Sequence, residues 1–164
     1  MKELRINFGE IAMAMENAHG ENEYFLDCDT GQLIVVPSDL TGLESLDDDE
    51  VQELVRDLPE WEKELVREVL AIYRSEDRRY LAVAPMGSHE AYDDMREFAH
   101  TVEDRRLREL LFVALDGRGA FGRFKRVLAD WPAERERWFA CKEERMEARI
   151  RRWLRQHGIE AADR

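Results

Sequence analysis

The sequence predicts an α+β fold, with a small antiparallel sheet of about three strands packed against a mostly helical C-terminal half. Two observations carry this prediction. Short apolar runs closed by proline or by a turn fall within residues 1–86. From residue 87 to about 160, apolar residues recur at the three- and four-residue spacing of helices, with no strand-like run. Composition agrees: 44% hydrophobic residues supply a core, and 38% charged residues supply strongly polar outer faces. At 164 residues the chain reads as a single domain, 1–164, with a sheet-containing part at about 1–86 and a helical part at about 87–160.

Each element has a local reason. Leu4-Arg5-Ile6 is a short strand candidate, and Asn7 can cap a helix through Phe8, Ile11, Met13 and Met15 that ends before His19-Gly20. Tyr24–Asp27 and Leu33–Val36 flank Cys28-Asp29-Thr30-Gly31-Gln32, so two apolar runs around an Asp-Thr-Gly turn read as a β-hairpin. Pro37 stops the second strand because it cannot donate to a ladder. After a polar connection, Asp47-Asp48-Asp49-Glu50 opens a helix through Val51, Leu54, Val55 and Leu58, since acids suit the positive end of the helix dipole. A further helix runs from Pro59 to about Ser75, with Trp61, Leu65, Val66, Val69, Leu70 and Tyr73 as its buried stripe. Arg79–Ala84, closed by Pro85, is the third strand of the sheet.

Ser88 is an N-cap for a helix from His89 to Thr101, with Tyr92, Met95, Phe98 and Ala99 facing inward. Glu103–Leu115 follows, and Asp116-Gly117 stops it. A short helix spans about Ala120 to Ala129 and buries Phe121, Phe124 and Leu128, leaving Arg123 and Arg126 facing solvent. The last helix begins at Pro132 and ends at His157-Gly158, carrying Trp138, Phe139, Cys141, Met146, Ile150, Trp153 and Leu154.

Charge is uneven. Residues 1–60 hold 3 basic and 16 acidic side chains, whereas residues 117–164 hold 13 basic and 8 acidic, in a chain of net charge −12. Within this acidic protein, Gly117-Arg118-Gly119-Ala120-Phe121-Gly122-Arg123-Phe124-Lys125-Arg126 contains four cations and no acid. A Gly-Arg-Gly turn before a helix leaves backbone N–H groups for an anion, and Arg118 can grip a carboxylate or phosphate with paired hydrogen bonds. The candidate anion-binding residues are therefore Gly117, Arg118, Gly119, Arg123, Lys125 and Arg126. The competing reading is structural: the glycines make the turn between two helices, and the cations pair with the acidic half of the same chain.

Much chemistry is missing from the pattern. The segment lacks the Lys-Ser/Thr ending and the preceding strand of a triphosphate-binding loop. Ser88-His89-Glu90 are consecutive on one helix start, so they point in different directions and cannot relay a proton among themselves. His19, His89, His100 and His157 have no ligand spacing, and Cys28 and Cys141 form no metal pair and read as reduced thiols. The Asp47–Glu50 run reads as a solvated helix entry, and Trp131, Trp138 and Trp153 as core. No catalytic residue, metal ligand or cofactor is assigned. No apolar run approaches the ~18 residues of a membrane span and no signal pattern opens the chain, which reads as a cytoplasmic protein without a membrane partner.

Ser88-His89-Glu90-Ala91-Tyr92 with Met95 and Phe98, then Gly117–Phe121 with Arg123-Phe124-Lys125, then Trp138-Phe139 and Lys142–Arg145, together resemble bacterial proteins grouped as uncharacterised protein family 158. The resemblance covers roughly residues 24–160. Gly122 and Cys141 depart from the bulkier residues associated with those places. The resemblance implies an α+β cytoplasmic bacterial protein of unknown function, and carries no activity or ligand.

The preferred functional reading is a non-enzymatic binding or regulatory module. It holds nucleic-acid phosphate, a nucleotide or an acidic protein segment at residues 117–126. One alternative is a protein-protein adaptor using an apolar groove between the long last helix and the sheet. The other is an enzyme acting through His89, Tyr92 and Arg118 brought together by the fold.

Overall fold

A computed structural model describes residues 1–17 and 20–162. The fold is α+β: seven α-helices, a three-stranded antiparallel sheet and a two-stranded parallel one are found among the described residues. The chain divides into two compact units, residues 1–85 with 157–164, and residues 86–156.

In the first unit, β1 (Lys2–Leu4) leads to α1 (Phe8–Glu16). Asn7 caps α1 as expected, its side chain accepting from the Glu10 N–H at 3.2 Å. His19 lies outside the described residues. The hairpin forms as the sequence predicts, from β2 (Glu23–Asp27) and β3 (Leu33–Val36), with Phe25 opposite Ile34 and Leu26 opposite Leu33. Gly31 in its turn has φ +79°, and a Cβ there would lie 2.3 Å from the Arg5 carbonyl oxygen. Glycine is required on both counts. A 3-10 segment (Ser38–Ser45), α2 (Asp48–Val55) and α3 (Glu60–Tyr73) follow. β4 (Tyr80–Ala82) then pairs antiparallel with β2, which becomes the central strand.

Val66, Val69, Leu70 and Ile72 of α3 bury against Val36 and Leu43, with Phe25, Leu65 and Tyr73 at the margin. Trp61 does not join this stripe and is 67% exposed. It stands in the first turn of α3, before the point where the helix reaches the core, so periodicity extrapolated beyond the packed surface assigned it wrongly. At the turn end of β2, Asp27 is buried and takes two hydrogen bonds from Arg79, at 3.1 Å from Nε and 3.0 Å from Nη2. It also accepts from the Asp29 N–H at 2.9 Å. The Arg79 hydrogen bonds hold the Asp27 carboxyl below its ordinary value, against the upward push of burial. Burial raises the Cys28 thiol, and burial with the bond to Glu23 pushes Tyr73 up to about 12.

The second unit is all helix: α4 (Ser88–Thr101), α5 (Arg105–Ala114), α6 (Ala120–Ala129) and α7 (Pro132–Gln156). Asp104 caps α5 by accepting from the Leu107 N–H at 2.9 Å. Phe98, Leu107, Leu111, Phe124 and Leu128 are fully buried. The rings of Phe98 and Phe124 each lie 5.2 Å from Trp138 in tilted or edge-on contact, a favoured aromatic geometry. Cys141 is half-buried against this core, and Gly122 is exposed. Both cysteines are free thiols.

After α7, Gly158 at φ +74° turns the chain into β5 (Ile159–Ala161), which pairs parallel with β1. The strand Leu4-Arg5-Ile6 expected from the sequence thus begins two residues earlier, and its partner was not foreseen. No helix among the described residues is long and apolar enough to cross a membrane.

Candidate functional site

In the second unit, the starts of α4 and α6 line one shallow groove of about 350 Å³. Its wall is Ser88, His89 and Tyr92 from α4 and Gly117–Phe121 from the turn into α6. None of these eight residues is acidic. The first sequence stretch sits nearly 30 residues before the second. They meet because α5 runs between them and packs on both α4 and α6.

Local rules build each side. Gly87 takes the extended cap conformation, φ −67° and ψ 148°, so α4 starts with Ser88 inside its first turn. Ser88 is therefore not the N-cap the sequence suggested: the glycine before it already occupies that place. Gly117 and Gly119 both have φ near +78°, a left-handed conformation open to glycine at little cost, and Gly119 is the N-cap of α6. No side chain caps α6, and its first turn contains no acid. Every other helix among the described residues has one or the other, as with Asn7 for α1, Asp47 for α2 and Asp104 for α5. The backbone N–H groups at the start of α6 thus keep an uncompensated positive field.

The four cations of the segment do different work. Arg118 is exposed on the groove wall. Arg123 is half-buried and turns back on the loop, its Nε donating to the Ala114 carbonyl at 3.0 Å and its other nitrogens to the Asp116, Gly117 and Arg118 carbonyls. These are acceptors that the end of a helix leaves without partners, so Arg123 holds the α5–α6 turn rather than facing solvent freely. Lys125 and Arg126 are exposed farther along α6 and do not line the groove. Arg126 donates back to the Gly122 carbonyl at 3.3 Å.

Phe121 is 43% exposed at the groove edge and not buried with Phe124 and Leu128 as the spacing suggested. The buried stripe is Ala120, Phe124 and Leu128, at strict four-residue steps. Phe121 is one position round from it and at the helix end. Tyr92 is pinned by its hydroxyl, which donates to the Leu115 carbonyl at 3.1 Å. His89 is 87% exposed on its side chain, and its Nε2 lies 3.5 Å from an Asp93 carboxylate oxygen. The site can therefore offer backbone donors, a guanidinium and a ring N–H to an anion. A nucleophile activated by an oriented base is not among the contacts observed. Among the described residues no group of His, Cys, Asp and Glu could hold a metal ion.

Sequence reasoning missed a second cluster in this unit. Asp94 is buried on α4 and takes ion pairs from Arg145 at 3.3 Å and Arg149 at 3.2 Å, both on α7. Arg149 Nε also lies 2.9 Å from Glu90, and Arg145 pairs with Glu97. The only signal was an acid on the apolar face of α4 matched by arginines four apart on α7. These pairs lock the first two turns of α4, which carry the groove wall.

The chain is thus an α+β protein with a small sheet and a four-helix unit that carries this groove. A family model for the uncharacterised protein family UPF0158 matches residues 1–164, and the chain belongs to that family. It is similar to UPF0158 protein PA5073 of Pseudomonas aeruginosa, 23% identical over the whole chain and 90% of the relative. No solved structure matches it.

Proposed function

We propose that the protein is a non-enzymatic binding module that holds an anionic group in the groove between the starts of α4 and α6. The observation that carries this reading is the start of α6, which has neither a capping side chain nor an acid in its first turn and opens beside Arg118. A helix start of this kind favours a negative partner, and a guanidinium can share it through paired donors. Gly117, Arg118 and Gly119 hold the ligand, with His89 at the opposite wall. Arg123 supports the turn, and Lys125 and Arg126 contribute only through the local field.

The protein's overall field repels polyanions, so binding rests on contacts to one or two phosphate groups rather than on long-range attraction. The test is a calorimetric titration with inorganic phosphate, nucleotides and short single-stranded RNA and DNA at low and moderate salt. Binding tighter than about millimolar at low salt is expected for at least one of them. Its salt slope should be shallow, roughly −0.9 per phosphate neutralised. Arg118→Lys should weaken it although charge is kept, because paired donor geometry is lost. If no ligand binds better than about millimolar at low salt, the anion-site reading fails.

A further inference from the structure

The first unit carries two exposed apolar side chains that the groove does not involve. Trp61, in the first turn of α3, is 67% exposed, and Leu54, in the last turn of α2, is 47% exposed. The two lie on either side of the Leu58-Pro59 connection, while Val51, Val55, Leu58 and Leu65 turn toward the core and are half-buried. A tryptophan carries a large, rigid apolar surface, so covering Trp61 would stabilise a complex more than covering an isolated leucine or valine.

The surroundings say what kind of partner fits. Residues 44–68 contain eleven acids and three basic residues, and ten of the eleven acids are exposed. The unit as a whole holds 23 acidic and 9 basic side chains. Nucleic acid and anionic lipid are repelled by such a field. A second copy of the chain is disfavoured as well, because a two-fold contact would set this acidic rim against itself. A cationic surface is attracted, and acids around an apolar anchor favour fast, selective capture of one. Trp61 has the chemistry of an interface anchor, a large rigid side chain that stabilises a complex when an apolar surface covers it.

We propose that the surface around Trp61 and Leu54 is a docking site for a basic amphipathic segment of a partner protein. The segment's apolar face covers Trp61, and its Lys and Arg side chains meet Asp57, Glu60 and Glu64. This site is separate from the anion groove, and either can fail without the other.

The experiment uses the full chain and three fluorescent 18-residue peptides: one of Lys and Leu with helical amphipathic spacing, one of Lys alone, and one of Glu and Leu. The Lys/Leu peptide is expected to bind in the micromolar range at low salt, and the Glu/Leu peptide not to bind. Trp61→Ala should weaken the Lys/Leu peptide at least tenfold and leave the Lys-only peptide unchanged, with Leu54→Ser acting in the same direction. Phe139→Ala, which removes an exposed aromatic on α7, should change nothing. Circular dichroism confirms that each variant is folded. The proposal is overturned if Trp61→Ala and Leu54→Ser leave Lys/Leu affinity as it was, if the Lys/Leu peptide fails to bind, or if sedimentation shows that Trp61 mediates self-association.

Discussion

The starts of α3 and α6 make an instructive pair. Each helix begins without a capping side chain, and each places an aromatic residue second, Trp61 in one and Phe121 in the other. Both aromatics stay exposed, for different reasons: the buried stripe of α3 begins at Val66, beyond the turn that carries Trp61, whereas the stripe of α6 begins at Ala120 and Phe121 lies one position round from it. Their electrostatic settings are opposite. The first turn of α3 supplies its own acids, Glu60 and Glu62, which complement the dipole. The first turn of α6 supplies none, and the turn before it offers Arg118. Similar helix starts thus carry opposite local fields, acidic at α3 and positive at α6.

The largest effect should come from removing the ring that anchors α6 rather than the one left exposed. Phe124 is fully buried and touches both Phe98 and Trp138. Phe124→Ala should cost about 3–5 kcal/mol in denaturant unfolding, the usual range for a phenylalanine lost from a packed core. A loss below about 1 kcal/mol would mean that α6 is not held by this stripe, and the contrast between its two phenylalanines would collapse.

Next in size is Asp94, which secures the α4 wall of the groove from below. Asp94→Asn should cost about 2–3 kcal/mol by urea unfolding, with an unchanged m-value. The figure sits under that for a buried pair broken outright because Arg145 keeps Glu97 and Arg149 keeps Glu90. If binding at the groove weakens along with stability, the α4 wall takes part in the site. If stability alone falls, the groove depends on α6 and its turn.

Sequence reasoning located what local pattern determines. The hairpin was legible because two apolar runs bracket a glycine-bearing turn, and the four C-terminal helices because capping residues, Gly117 and Pro132 punctuate a 3.6-residue rhythm. The pairing of β1 with β5 was not, since Ile159-Glu160-Ala161 is too short for a period-two signal and its partner is at the other end of the chain. Trp61 is misassigned because periodicity says which face a residue is on, not where along the helix the core stops, and Phe121 because a three-residue step and a four-residue step back from Phe124 both fit a helix, and packing chose Ala120. In the candidate site, Gly117-Arg118-Gly119 stood out as a basic turn. Two things about it depend on tertiary packing and leave no local mark: the approach of Ser88–Tyr92, and the folding of Arg123 back onto the carbonyls.

The acidic unit offers a smaller and pH-dependent effect. Asp27 bonds to Arg79, which holds its carboxyl below the ordinary value, so the folded chain binds fewer protons there than the unfolded chain does. The stabilisation is complete above the ordinary carboxylate value, near about 4, and is lost as pH falls through the lowered native value. Arg79 is partly exposed, so solvent screens the pair and its contribution at neutral pH is smaller than that of a fully buried one. Thermal melts between pH 6 and pH 2 should show Asp27→Asn less stable than wild type at pH 6, with the gap closing below about pH 4. A gap independent of pH would assign the effect to packing rather than to charge.

The smallest effect bears most directly on the comparison. Trp61 and Phe121 both lie outside the core, so neither contributes much to folding, and Trp61→Ala and Phe121→Ala should each change unfolding stability by no more than about 0.5 kcal/mol. Ala is also a better helix former than either aromatic, which offsets part of whatever contact is lost. Stability is then the wrong measure of these residues, and salt dependence is the right one. The Lys/Leu peptide at Trp61 should weaken as salt is raised, because an acidic rim of many exposed carboxylates is screened together. Phosphate at Arg118 should weaken far less, because a single guanidinium and backbone donors carry it. A cost above about 1.5 kcal/mol for either variant would show that its ring is covered in the folded protein. That ring would then belong to the core, and the parallel between Trp61 and Phe121 would be lost.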